Sequence, residues 1–260
     1  MDGQRAFVKA INLETDSFAS SLYTRERYFA ERIPSNFPAP RFLGEVRASA
    51  WLALVFEDIM GRVVPVPWSD NDLTAVLNHM DACSSLMTPC PIPGLESWGG
   101  DFALWQGWNW MESQGALPAE TPAEARPHLR LLARLEAVFP TAAGGDTLLH
   151  SDLRSDNIIL GADGSVTFVD WAHAARGAAW IDPLIFALCA AVQGHGNPQE
   201  ILERHPAGQN ADSDGVDSAL AALAGRFVAS STRPGPAALR RFQRLEALAC
   251  LRWLGSRVGW

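Results

Sequence analysis

The segment LLHSDLRSDNIILGADGSVTFVDWAHA, residues 148–174, restricts the fold more than any other part of the chain. The runs NIIL and SVTFV have strand character, and Ala162, Asp163 and Gly164 between them carry a hairpin turn signal. A hairpin brings together the residue entering its first strand and the residue leaving its second. Here those are Asn157 and Asp170. Paired, their Cα atoms would lie about 5 Å apart, or one neighbour further on if the register slips. An amide oxygen and a carboxylate at that spacing suit one hard cation such as Mg²⁺, which prefers oxygen ligands and keeps several waters for phosphate oxygens. Asp152 stands in the loop just before them. A lone carboxylate beside such a site is disposed as a general base. Turn chemistry by itself does not ask for His150, Asp152, Asn157 and Asp170 in this order.

A second constellation lies near the N-terminus. The run QRAFVKAI reads as a strand with Arg5, Phe7, Lys9 and Ile11 on one face. A helix over residues 17–32 follows, closed by the Pro34 and Pro38 region. On that helix Phe18, Leu22, Glu26, Phe29 and Ile33 fall on one stripe. Glu26 is therefore a carboxylate on an apolar face, where an unpaired charge is costly. Lys9, on the preceding strand, is the candidate partner, and it is the only lysine in a chain whose other cations are all arginine.

Composition narrows the classes of partner. The net charge of −8 argues against non-specific binding to nucleic acid or to anionic membranes. The longest apolar run, LIFALCAAV from Leu184, is too short to span a bilayer, and residues 1–30 hold no sustained apolar segment of the signal-peptide kind. Cys83, Cys90, Cys189 and Cys250 are scattered without framework spacing, so they read as small packed residues in a reducing cytoplasm rather than as disulfides or a zinc site.

Asp2-Gly3 is a turn signal ahead of the first strand. RFLGEVRASAWLALVF reads as two strands joined near residues 47–50, and EDIMGR then leaves the sheet. This divides the chain into a small α+β lobe, residues 1–57, and a larger, mostly helical lobe, residues 58–260. In the second, helices are expected near 73–86, 123–139 (ending before Pro140), 183–192, 217–230 and 237–258, with a loop rich in Pro, Gly and Trp over 89–118. In the last helix Leu239, Phe242, Leu245, Ala249 and Trp253 form a stripe expected to face the core. Asp182, ahead of an apolar helix, reads as an N-cap, and His173 as polar surface or a metal ligand. His150 reads as a loop residue bonded to backbone, and Glu200, Glu203, Asp212, Asp214 and Asp217 as a solvated acidic loop.

The spacing from Asp152 to Asn157, preceded by His150, is H-x-D-x-x-x-x-N, and Asp170 follows after the next strand. With V-D-W in place of a D-F-G triplet and WIDP downstream, the chain resembles the aminoglycoside phosphotransferase/choline kinase-like family, most closely its poorly characterised bacterial members. The match is most specific over residues 148–182, with further pieces in order along most of the chain. FVKAI is similar to the V-A-I-K context of a kinase lysine.

The resemblance implies an α+β, protein kinase-like fold of two lobes, and transfer of the γ-phosphoryl of ATP or GTP to a hydroxyl of a small molecule. Asp152 would be the catalytic base, Asn157 and Asp170 the Mg²⁺ ligands, and Lys9, braced by Glu26, the group on the nucleotide phosphates. Backbone near Glu57 and Asp58 would hold the nucleotide base, Asp182 would brace the catalytic loop, and the acids of 200–217 would lie near the acceptor. Two departures stand out. Ser151 occupies a position usually filled by Gly, and only eight residues precede Lys9 where kinase-like proteins carry two strands and a glycine-rich loop. The small lobe is therefore expected to be N-terminally truncated, and a catalytically impaired nucleotide-binding protein is the alternative to an active kinase. A metal-dependent hydrolase built on His150, Asp152, Asp170 and His173 suits an oxygen-only hairpin site poorly.

Overall fold

Alternation along WLALVFE creates the first layer. In the computed structural model, which describes residues 5–15, 17–100, 105–115 and 117–260, Leu52, Leu54 and Phe56 point inward from strand β3 (Trp51–Glu57) while the intervening side chains face out. Strand β3 is the centre of a three-stranded antiparallel sheet in the order β1 (Ala6–Asn12), β3, β2 (Phe42–Ala48). Its register sets Lys9 opposite Leu54. The turn between β2 and β3 has Ser49 in a left-handed conformation, φ 50°. The Asp2-Gly3 turn signal lies outside the described residues.

Helix α1 (Ser17–Ala30) closes the inner face of the sheet with Tyr23 and Ala30. The stripe expected on α1 holds at Glu26 and Phe29, which are buried, and fails at Phe18, which is 63% exposed on the cleft wall in the helix's first turn. Phe29 stacks on Trp171 at 4.5 Å between ring centroids, and Phe37 meets the same ring edge-on at 5.4 Å. The tryptophan that stands where D-F-G has phenylalanine thus fixes α1, and Glu26 with it, against the end of the hairpin.

The larger lobe is mostly helical. The segment after Glu57 returns to a sheet as β4 (Arg62–Val63), which pairs with β6 (Ile158–Leu160) of the β6–β7 hairpin; β7 is Val166–Phe168. A second antiparallel pair joins β5 (Thr147–Leu149) to β8 (Ala175–Gly177). Around these pack α2 (Asp70–Met87), α3 (Gly107–Gln114), α4 (Leu129–Ala142), α5 (Ile181–Val192), α6 (Pro198–Glu203), α7 (Pro206–Gln209), α8 (Ser213–Ser231) and α9 (Ala237–Val258). Helix α4 runs through Pro140 instead of ending before it, because a proline in the last turn forfeits a single N–H and Ala143 N still donates to Phe139 O at 2.8 Å.

Helix α3 arises inside the loop expected over 89–118. Gly107 and Gly225 let the backbones of α3 and α8 touch, since a Cβ on Gly107 would fall 2.2 Å from Gly225 O. Fully buried Glu136 of α4 accepts the Trp108 and Asn109 backbone N–H groups at 3.1 and 2.9 Å, satisfying the first turn of α3. The stripe assigned to α9 holds in part: Trp253 is buried and Ala249 packs against the core, but its N-terminal members do not. Leu239 and Leu245 are 43% and 47% exposed, whereas Ala247, Cys250, Leu251 and Leu254 are buried with Trp253. The C-terminal half of α9 carries the core face, and its N-terminal half lines a cleft. Among the described residues no helix is long and apolar enough to cross a membrane.

Candidate active site

A buried carboxylate shapes the loop after β5. Asp182 Oδ2 accepts the His150 N–H at 2.7 Å and Oδ1 accepts the Ser151 N–H at 2.9 Å. Asp182 is the second residue of α5 and does not cap it, so its bracing role holds and its N-cap reading does not. Burial pushes its carboxyl up to about 6, against the two N–H groups that lower it. Ser151, at the position that resemblance gives to Gly, takes φ 66°. His150 is fully buried. Its Nε2 donates to Val169 O at 2.9 Å while Nδ1 receives the Asp152 N–H at 3.3 Å, the arrangement of a neutral ring. Burial holds its pKa down at about 4.

These contacts fix the backbone on either side of Asp152, and Asn157 fixes its side chain. The Asn157 amide donates to Asp152 O at 2.8 Å and to Asp152 Oδ2 at 3.0 Å. Burial raises Asp152 to about 6, with Arg154 and Asn157 acting in the opposite direction. Arg154 grips Asp156 through two hydrogen bonds of 3.1 and 2.9 Å and comes within 3.7 Å of Asp152 Oδ1. Its place two residues after the acid, in D-L-R, is the sequence signal for this contact.

The hairpin register sets Ile158 opposite Phe168, and Val169 N donates to Asn157 O at 2.9 Å. Asn157 is therefore opposite Val169, and Asp170 is the next residue along, the slipped register allowed above. Asp170 takes φ 64° and ψ 63°, and this left-handed residue re-aims its side chain out of the ladder. Its Oδ1 lies 2.9 Å from Lys9 Nζ, which is also 2.5 Å from Glu26 Oε2. Burial works to lower the Lys9 pKa, yet Glu26 and Asp170 together raise it. Asp170 is lowered, because Lys9 outweighs the effect of burial. Burial pushes Glu26 up to about 7 despite Lys9. The contact distance and the raised lysine both describe a charged pair.

Lys9, Glu26, Glu57, Asp58, Asp152, Asn157 and Asp170 all line one cleft of 1210 Å³, while His150 and Asp182 lie behind its wall. Glu57 N donates to Arg41 O at 2.9 Å, and the Asp58 carboxylate pairs with Arg5 at 2.7 Å. His173 lines the cleft as well and is held neutral, its pKa brought down to about 4 by burial and by Arg226 and Arg25. It is neither open surface nor part of a metal cluster, since no group of three or more His, Cys, Asp or Glu is poised for a metal among the described residues. The acids Glu200, Glu203, Asp212, Asp214 and Asp217 do not reach the cleft. Asp212 caps α8, Asp217 pairs with Arg257 at 2.5 Å, and the cleft is lined by the other end of that helix, about 14 Å along its axis.

Three comparisons bear on this arrangement. The phosphotransferase enzyme family, APH, matches residues 24–207, more than half of the chain. No curated protein matches the sequence. Among solved structures, a thermostable mutant of the aminoglycoside phosphotransferase APH(4)-Ia is 17% identical, with a TM-score of 0.64 over 100% of this chain and 90% of that one. Choline kinase LicA from Streptococcus pneumoniae is 13% identical, with a TM-score of 0.62 over 96% and 87% of the two chains. Spectinomycin phosphotransferase APH(9)-Ia, in complex with ADP and spectinomycin, is 13% identical, with a TM-score of 0.58 over 99% and 87%. The fold is thus protein kinase-like, a small antiparallel sheet lobe on a helical one, and the chain belongs to the phosphotransferase enzyme family.

Proposed function

We propose that this protein transfers the γ-phosphoryl of ATP or GTP to a hydroxyl of a small molecule, using Mg²⁺. The observation that carries the reading is the contact of Lys9 with both Glu26 and Asp170, which joins the sheet lobe to the end of the hairpin beside Asp152. Lys9 orients the nucleotide phosphates, and Glu26 holds its ammonium in place. The segment at Glu57 and Asp58, leaving β3 along the cleft wall, receives the nucleotide base.

The donor set fits a hard cation. Both amide hydrogens of Asn157 are committed to Asp152, so its oxygen is the atom left for a metal, and Asp170 adds a carboxylate that is 47% exposed. When bound, Mg²⁺ neutralises charge on the phosphate oxygens. Asp152, with a pKa of about 6, is ionised at neutral pH and positioned by Asn157 and by the braced loop. It accepts the proton of the acceptor hydroxyl as the new O–P bond forms and the bond to the nucleoside diphosphate breaks. Positioning supplies most of the acceleration. An intact base and lysine support turnover over nucleotide binding alone. The test is a nucleotide-consumption screen across amino alcohols, sugars and nucleosides, with Asp152→Asn as control. Consumption that Asp152→Asn leaves intact would sink the reading.

A further inference from the structure

Beyond Asp152 the cleft wall changes character. It is built from the C-terminal end of α8, the turn over residues 232–236 and the N-terminal half of α9. The link to the loop is direct: the Arg154 guanidinium, 3.7 Å from Asp152, lies over the Phe242 ring of α9 at 5.4 Å. A hydroxyl presented to Asp152 from the side away from Lys9 therefore comes from a molecule resting on this wall.

Arg226, Arg233 and Arg240 reach the cleft from this wall, and Glu246 is the single acid of α8 and α9 that does so among the described residues. Arg240 donates to Ser230 O, Pro234 O and Gln243 Oε1 at 2.9, 2.6 and 2.7 Å, all neutral acceptors, and its Nε is buried without a partner. The Arg233 guanidinium has no carboxylate partner among the described residues, and that of Arg226 lies over the Trp105 ring at 4.4 Å. Glu246 is 3% exposed and its carboxyl makes no hydrogen bond or ion pair with a described residue. The buried Arg240 Nε, without a protein partner among the described residues, is costly unless a ligand completes it. Burial pushes Glu246 up to about 7, so it serves better as a hydrogen-bonding partner than as a counter-ion. An anion would meet forked donors that suit carboxylate or phosphate oxygens.

We propose that this wall receives a polyhydroxyl acceptor bearing an anionic group, with the anion on Arg233 and Arg240 and a hydroxyl on the Glu246 carboxyl. The proposal rests on the phosphotransferase reading above, and the two fail separately. Calorimetric titration with AMP-PNP first reports on that reading: no binding overturns it. The nucleotide-saturated protein is then titrated with gluconate, sorbitol and glucamine, which share a six-carbon polyol chain and end in carboxylate, hydroxymethyl and ammonium. Gluconate should bind about tenfold more tightly than sorbitol, with glucamine weakest. The gap between gluconate and sorbitol should collapse in the Arg233→Ala/Arg240→Ala double variant, while Glu246→Leu should weaken both compounds together. Equal affinities for gluconate and sorbitol, or tighter binding of glucamine, overturn the proposal. So does a double variant that loses AMP-PNP affinity while keeping the sugar order, which would put the arginines on the nucleotide. Unchanged binding in Glu246→Leu removes Glu246 from the site.

Discussion

The loop and hairpin from His150 to Asp170 and the wall of α8 and α9 border the same cleft on opposite principles. In the first, polar groups are committed to one another: Asp182 to two backbone N–H groups, Asn157 twice to Asp152, and Lys9 between two carboxylates. In the second, Glu246 and Arg233 make no hydrogen bond or ion pair with another side chain among the described residues, and Arg240 turns to neutral oxygens. Groups that act on a transferring phosphoryl must be oriented before it arrives, because positioning supplies the rate. Groups that recognise an acceptor hold their bonding capacity for it. Position is built into one side of the cleft and demand for a ligand into the other.

The comparison breaks if the committed side proves dispensable. Asp152→Asn keeps the shape and the Asn157 contact but removes the base, so kcat should fall by about 10²- to 10⁴-fold with nucleotide affinity nearly unchanged. Steady-state rates beside AMP-PNP titration give both numbers.

Removing the brace tests whether commitment means position or only stability. Asp182→Ala leaves two buried N–H groups unpaired and should cost about 2–4 kcal/mol of stability. Glu136→Ala orphans the N–H groups of α3 and should cost a similar amount at a side chain that does not line the cleft. Denaturation should show both losses, while kcat of the folded protein should drop for Asp182→Ala alone. Equal losses of kcat would reduce Asp182 to a structural prop.

Lysine and arginine sharpen the comparison further. Lys9→Ala should weaken AMP-PNP binding about 10- to 100-fold. Lys9→Arg should not restore it, because a planar fork cannot sit between Glu26 and Asp170 as a compact ammonium does. Wild-type affinity in Lys9→Arg would end the phosphate-orienting role.

The smallest expected effect concerns the uncommitted side. Glu246 in the folded protein titrates near 7, above the ordinary value of 4.5, so the folded state keeps its proton longer than the unfolded state. Its contribution to stability is therefore greatest below pH 4.5 and is lost as pH rises to about 7. Glu246→Gln should raise Tm by about 2–4 °C at pH 8 and change it little at pH 5. A shift of the same size at both pH values would show that the side chain does not titrate in this range.

Local signals carried much of this molecule. The β6–β7 hairpin was legible from two apolar runs and one turn, and the polar residues around it were legible because a hairpin fixes which residues meet. The one-step offset of Asp170 was not, since it depends on a left-handed residue that the letters V-D-W do not announce. Helix α3 escaped because GWNWMESQ opens on glycine and tryptophan; it is held by Glu136 and by a glycine contact with α8. The stripe on α9 holds at Ala249 and Trp253 and fails at Leu239 and Leu245 for a related cause. Periodicity finds an apolar side of a helix, but what that side meets depends on the neighbours it acquires.

The sequence alone determined the chemistry available: one lysine for a buried glutamate, an acid and an amide five residues apart, and a second acid at the far end of a hairpin. Each rests on spacing within an element or between adjacent ones, where covalent geometry limits the choices. Tertiary structure decided what that chemistry faces. Lys9 and Asp170 are 161 residues apart and meet because Trp171 stacks on Phe29. Asp212, Asp214 and Asp217 are carried away from the cleft and Arg226 at the other end of α8 is brought to it, because a helix separates its ends by its own length and packing chooses which end lines the cavity.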